Sequence, residues 1–197
     1  MKKQEAVYRD ILYNAMEKKE FFFTQSELSK RLNLSLSNIN IAIKRLSLMG
    51  AVKIEQRGFK VIDIRKILYF WASVRNLEKD ILFKVRIEAP VREIERMMPN
   101  AVFTGYTAYK LKFNEVPADY SEVYAYADEE ELGTIKKRIA NLRLCEDNPN
   151  LIVLKKDDLL KIYNSIPIAQ IFADLWNMKE WYAKEFIKSI EDKKGVM

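Results

Sequence analysis

TQSELSKRLNLSLSNINIAIKRLSLMGAVKIEQRGFKVI, residues 24–62, is the stretch on which the reading of this chain turns. Thr24 followed by Glu27 forms a capping box, in which each side chain satisfies a free backbone amide at a helix start. Leu28 and Leu32 then fall on one helical face. Ser35 caps a second helix, where Leu36, Ile39, Ile43 and Leu46 repeat at helical spacing. Gly50 stands where the end of that helix must turn left-handed. Beyond it Val52, Ile54, Val61 and Ile64 flank the turn Gln56-Arg57-Gly58, as a β-hairpin requires.

Helix, tight turn, helix and β-ribbon, in that order, are the grammar of a winged helix-turn-helix, whose second helix enters a DNA major groove. The face of that helix opposite its apolar stripe carries Ser37, Asn38, Ile41, Lys44, Arg45 and Leu48, with Asn40 at the border. Ser37 and Asn38 lie at the end that reaches base edges first. Asn bonds adenine bidentately and Ile41 suits a thymine methyl. Lys44 and Arg45 are expected on phosphates, which position a protein without reading sequence. In the wing, Gln56, Arg57 and Lys60 are placed to reach a flanking minor groove or phosphates.

Working outward, a first helix is expected over residues 4–19, with Val7, Ile11, Leu12 and Ala15 inward. Phe21-Phe22-Phe23 joins it to the capping box, and three consecutive aromatics cannot all face one core. After the wing, Asp63 caps a helix over 64–76 (IRKILYFWASVRN) with a stripe at Ile64, Ile67, Leu68, Trp71 and Val74. Tyr69 and Phe70 fall outside that stripe, so burial on more than one side is expected. This helix reads as packed between two domains, with homodimerisation as the sharper alternative. The expected organisation is a DNA-binding domain over 1–65, a connecting helix over 66–78 and an α/β regulatory or interaction domain over 79–197.

Charge supports that division. Residues 1–65 hold 13 Lys and Arg against 7 Asp and Glu, a net of +6, and the whole chain of 197 residues is also +6. Residues 66–197 are therefore neutral, and the positive excess lies where double-stranded DNA would be bound. Histidine is absent, which removes Ser-His-Asp and Cys-His catalysis and the usual zinc sites. Cys145 is the only cysteine, so no intrachain disulfide can form. No stretch approaches the roughly 20 apolar residues of a membrane span, and the N-terminus lacks a signal peptide's apolar region. A cytoplasmic protein without membrane, metal or cofactor is expected.

The second half alternates strand-like and helix-like segments. ILFKVRI (81–87), EVYAYA (122–127) and LIVL (151–154) read as strands. Helices are expected from Pro90 to about Met98, over Thr104–Leu111, after the acidic run Asp128–Glu131, from Asp157, and over 166–176 and 180–190. Strands separated by helices imply an α/β or α+β layer. Trp176 and Trp181, among Ile171, Phe172 and Leu175, read as core. Tyr106, Tyr109 and Tyr120 are candidates for lining a pocket.

A winged helix followed by FTGYTAYKL (103–111), EVYAYAD (122–128) and IPIAQIFADLWNM (166–178) resembles the archaeal branch of the abortive-infection antitoxin-type transcriptional regulators, antitoxins of type IV toxin–antitoxin systems. The resemblance implies a repressor that binds repeats near its own promoter. Its second domain would resemble a degenerate nucleotidyltransferase-like fold and restrain a toxin or meet another protein partner. An active nucleotidyltransferase has a Gly-Ser pair near a helix start, then two carboxylates one residue apart on a strand to hold Mg²⁺. Here Thr104-Gly105-Tyr106 is followed by Tyr126-Ala127-Asp128, which leaves Asp128 alone. Asp157 and Asp158 are adjacent, diverge by about 100° on a helix and make a poor metal pair. The expected function is a DNA-binding transcriptional regulator, a repressor and not an enzyme. The alternatives are a nucleotidyltransferase-like enzyme and a winged-helix scaffold that binds protein.

Overall fold

A computed structural model describes residues 1–98 and 101–194. The chain is a mixed α+β protein with two sheets, and it divides into two compact units. The first unit comprises Met1–Arg75, Pro167–Ala173 and the segment beginning at Ile190; the second comprises Asn76–Ile166 and Asp174–Ser189.

In the first unit, α1 (Lys3–Tyr13) runs into a π-helical turn over Asn14–Lys18. It buries Val7, Ile11, Leu12 and Ala15 as its periodicity predicts. α2 (Gln25–Leu32) opens on the expected capping box: Glu27 N–H donates to Thr24 Oγ1 and Thr24 N–H to Glu27 Oε2, each at 3.2 Å. Asn33, at φ 49°, turns the chain out of it. α3 (Leu36–Leu48) is capped by Ser35 and buries Ile39, Ala42, Ile43 and Leu46. Each of the isoleucine and leucine side chains removed from water contributes about 1.5–3 kcal/mol. Gly50 sits at φ +69°, the left-handed conformation expected of it.

Leu36 departs from the expected stripe. It is the first residue of α3 and is 55% exposed, because the buried i, i+3, i+4, i+7 set starts one turn later at Ile39. Ile64 departs too: it opens α4 (Ile64–Val74), capped by Asp63, and takes no part in the ribbon. The ribbon itself is β2 (Val52–Glu55) and β3 (Gly58–Val61), joined by the tight turn Gln56-Arg57.

The aromatic triplet is a strand where a linker was expected. β1 (Phe22–Phe23) pairs antiparallel with β3, placing Phe23 opposite Phe59 with rings 5.6 Å apart. Glycine is needed at position 58, since a Cβ there would lie 2.3 Å from the Phe23 carbonyl oxygen. Phe23 is buried and Phe22 exposed, so the triplet is divided between core and solvent.

On α4, Ile67, Leu68 and Trp71 are buried, while Tyr69 and Phe70 are half-buried on other sides. Phe70 meets Tyr8 edge-on at 5.5 Å, and Tyr69 meets Phe172 edge-on and donates its hydroxyl to Glu191. Trp71 Nε1 donates to the buried Glu5, which also faces Arg75 at 3.9 Å. A buried charge of this kind must be paired to be tolerated.

The second unit is built on a five-stranded sheet. Its strands are β4 (Ile81–Ile87), β5 (Val102–Thr104), β6 (Val123–Ala127), β7 (Leu144–Cys145) and β8 (Leu151–Lys155), in the order β5-β6-β8-β4-β7. Only β6 and β8 run parallel; the other neighbours are antiparallel. Its helices are α5 (Val91–Arg96), α6 (Gly105–Phe113) and α7 (Glu129–Ile139), with a short 3₁₀ turn over Asp158–Ile162 where a helix after Asp157 was expected. α8 (Ile168–Trp176) and α9 (Ala183–Lys194) each contribute residues to both units. β6 is buried throughout and sorts its residues by size. Val123, Ala125 and Ala127 join Ile94, Ile135 and Ile139 in an apolar core, whereas Tyr124 and Tyr126 turn to the opposite face, as strand alternation dictates.

Candidate nucleic-acid interface

Two shallow surface depressions follow α3. The first is lined by Gln25, Leu36, Ser37, Asn40 and Ile41. The second adjoins it and continues past Lys44 and Ser47 to Leu48 and Ile54. Burial of Ile39, Ala42, Ile43 and Leu46 leaves the opposite side of α3 outward, and Ser37, Asn40, Ile41, Lys44 and Leu48 are all exposed. The N-terminus of α2 supplies Gln25, positioned by the Thr24 cap, and β2 supplies Ile54.

The residues selected from sequence fall in four places. Ser37, Asn40, Ile41 and Lys44 come together along the depressions. Asn38 is engaged in the helix cap: its backbone and side-chain amides both donate to Ser35 Oγ, at 3.3 and 2.8 Å. Arg45 lies at the flank facing α1, where its guanidinium neighbours the Tyr8 phenol. Burial raises the Tyr8 pKa, and the Arg45 charge opposes part of that rise. Gln56, Arg57 and Lys60 are exposed on the hairpin.

Four contributors escaped the sequence reading. Gln25 was legible only as the residue after a cap, Leu36 was assigned to the apolar stripe, and Ile54 was read only as a residue flanking the hairpin turn, although it is 52% exposed. Lys53 was not singled out. It stands directly opposite Lys60 across β2 and β3. Lys44, Lys53, Arg57 and Lys60 are exposed and make no ion pair among the described residues.

The residues weighed for catalysis are engaged otherwise. Asp128 caps α7: Glu131 N–H donates to Asp128 Oδ1 and Asp128 N–H to Glu131 Oε2, each at 2.9 Å. Glu131 also accepts from Lys156 Nζ at 2.6 Å. Asp157 caps the 3₁₀ turn. Tyr126, in the place of a second carboxylate, donates to the buried Asp174 at 2.6 Å, and Thr104 Oγ1 donates to the same oxygen at 2.7 Å. Among the described residues no three His, Cys, Asp or Glu side chains are grouped to hold a metal ion.

The expected tyrosine pocket is filled. Tyr106 stacks on Tyr120 at 5.4 Å and packs against Phe186 at 5.0 Å, while Tyr109 meets Phe186 edge-on. Burial pushes the Tyr106 and Tyr124 hydroxyls far above the ordinary phenol range, and both donate to Glu180. Glu122 is raised by burial and by the charge of Glu180, against the opposing hydrogen bond from Tyr182. Glu95 shows the reverse balance: burial alone would raise it, yet hydrogen bonds from Lys110, Tyr120 and Thr107 hold it below the usual value. Trp176 and Trp181, expected in the core, are exposed. No helix among the described residues is long and apolar enough to cross a membrane.

No family model matches the chain, and comparison with curated proteins and with solved structures gives no match.

Proposed function

We propose that the first unit is a winged helix-turn-helix that binds duplex DNA, and that the protein regulates transcription as a repressor. α2 and α3 would form the helix-turn-helix and the β2–β3 hairpin the wing. The observation that carries the reading is the pair Lys53 and Lys60. Like charges directly opposite on a ribbon are destabilising. Among the described residues these two make no ion pair, and neither does Arg57 at the turn or Lys44 on α3. A polyanion gives such an arrangement its counterpart, and duplex DNA carries one negative charge per about 1.7 Å of its axis.

In this reading the exposed face of α3 enters the major groove, and the hairpin lysines hold phosphates and set the register. The second unit would control the reader, the part that the antitoxin-type resemblance implies for it, through a toxin or another protein partner. The test is a gel-shift titration of the full chain against mixed-sequence duplex over a range of salt. Affinity should fall steeply and linearly on a log–log scale as salt rises. Absence of duplex binding at low salt would remove the proposal.

A second reading has one observation in its favour. Leu36, Ile41, Leu48 and Ile54 are all exposed in and beside the depressions. A protein-binding scaffold would use such a strip, and it predicts no DNA affinity at any salt concentration.

A further inference from the structure

Within the DNA-binding reading, and resting on it, the exposed apolar residues have a more specific use. We infer that the face formed by α3 and the start of α2 reads A·T base pairs, through thymine methyl groups and adenine edges. In the major groove an A·T pair presents the adenine N7 acceptor and N6 donor, and the thymine O4 and C5-methyl group. Asn and Gln amides match the adenine edge bidentately, and apolar side chains match the methyl. The first depression contains that set: the amides of Gln25 and Asn40 beside Leu36 and Ile41. It contains no arginine or lysine, the side chains that read guanine O6 and N7. Lys44 lies in the neighbouring depression.

The apolar members of the face are not core residues that merely reach the surface. Leu36 is 55%, Ile41 44% and Leu48 81% exposed, on a helix whose core contacts are made by Ile39, Ala42, Ile43 and Leu46. The charge nearby selects among occupants. A second copy of the chain packed on this strip would bring together two faces that each carry Lys44, and juxtaposed like charges oppose association. A thymine-bearing duplex satisfies both features, with methyl groups for the strip and phosphates for Lys44.

The test is competition fluorescence anisotropy with the full chain at low salt, using alternating duplexes of equal length: A·T, A·U, G·C and G·5-methyl-C. Uracil differs from thymine only in lacking the methyl group. Each methyl taken out of water is worth about fourfold in affinity, so two contacts predict roughly fifteenfold tighter binding to A·T than to A·U. G·5-methyl-C should bind more tightly than G·C for the same reason. Ile41→Ala should bring the A·T to A·U ratio toward one while leaving thermal melting unchanged, and Asn40→Ala should narrow the gap between A·T and G·5-methyl-C. Equal affinity for A·T and A·U, with duplex binding intact, overturns this inference and leaves the DNA-binding reading standing. Failure to bind any of the four duplexes overturns both. A concentration-dependent dimer in sedimentation of the DNA-free protein, dissolved by Leu48→Ala, assigns the strip to a second copy and overturns the inference.

Discussion

The side-chain amide of Asn38 donates to Ser35 Oγ at 2.8 Å, and the backbone amide of Asn38 donates to the same oxygen at 3.3 Å. One hydroxyl therefore closes the first turn of α3 twice and engages one N–H of the amide that base reading would employ. Asn40, farther along the same helix, has its side chain in the open depression beside Gln25. Helical position placed Asn38 on the outward face and Asn40 at its border; their hydrogen bonds reverse that order.

Replacing Ser35 by alanine should remove both bonds. A lost N-cap costs about 1 kcal/mol, so Ser35→Ala should lower the urea midpoint with the slope unchanged. Asn38→Ala should reproduce only part of that loss. An Asn38→Ala protein with unchanged stability would show that its amide contributes nothing to the cap.

Lys53→Ala should act with opposite sign on folding and on binding. Removing one of two directly opposed lysines relieves a repulsion of some tenths of a kcal/mol, so the free protein should melt slightly higher. Its DNA affinity should fall across all sequences, and the salt slope should decrease by about one. A variant that binds DNA with the same slope places Lys53 away from the phosphates.

Asp128 distinguishes a structural carboxylate from a metal ligand. As a helix cap, Asp128→Ala should cost about 1 kcal/mol and Asp128→Asn much less, because asparagine caps nearly as well. Added Mg²⁺ should leave thermal melting of all three proteins unchanged. Stabilisation of the parent by Mg²⁺, lost in Asp128→Asn, would instead favour the nucleotidyltransferase-like alternative.

Glu122 sets a pH dependence. Burial, reinforced by the Glu180 charge, raises its pKa above that of the unfolded chain. Its contribution to stability is therefore fully present below the unfolded value, near 4.3, and is lost as pH rises through the folded value. Glu122→Gln keeps the carbonyl oxygen as an acceptor for Tyr182 and carries no charge. The variant should be more stable than the parent at neutral pH, with the difference shrinking as pH falls through the raised folded value and gone below about 4. Equal denaturation midpoints across that range would show that Glu122 ionises as freely folded as unfolded.

Much of the first unit was legible because its signals are local. The Thr24–Glu27 box, the Ser35 and Asp63 caps and the left-handed Gly50 each depend on a few adjacent residues, and each stands as read. Leu36 was misassigned because periodicity specifies a face but not where along the helix a neighbour begins to cover it. Phe22–Phe23 became a strand through pairing with the distant β3, which no local pattern announces. The same distance problem hid the tyrosine core: Tyr106, Tyr120 and Phe186 are brought together only by the fold. In the candidate interface, charge and helix face identified Ser37, Asn40, Ile41 and Lys44. Sequence spacing could not indicate that Asn38 also bonds the Ser35 cap or that the Arg45 guanidinium neighbours Tyr8.

The first unit is assembled from three separated stretches, and this orders events during synthesis. Buried Arg9 donates to Gln170 at 3.2 Å, Tyr69 packs its ring on Phe172, and its hydroxyl finds Glu191. When the ribosome has delivered the stretch ending at Arg75, these partners do not yet exist. The segments that complete the core of this unit are made only after the whole five-stranded sheet has been synthesised. A nascent or truncated product would therefore hold the α2–α3 segment in an unfinished unit, which would couple the DNA binding proposed for it to synthesis of α8 and α9.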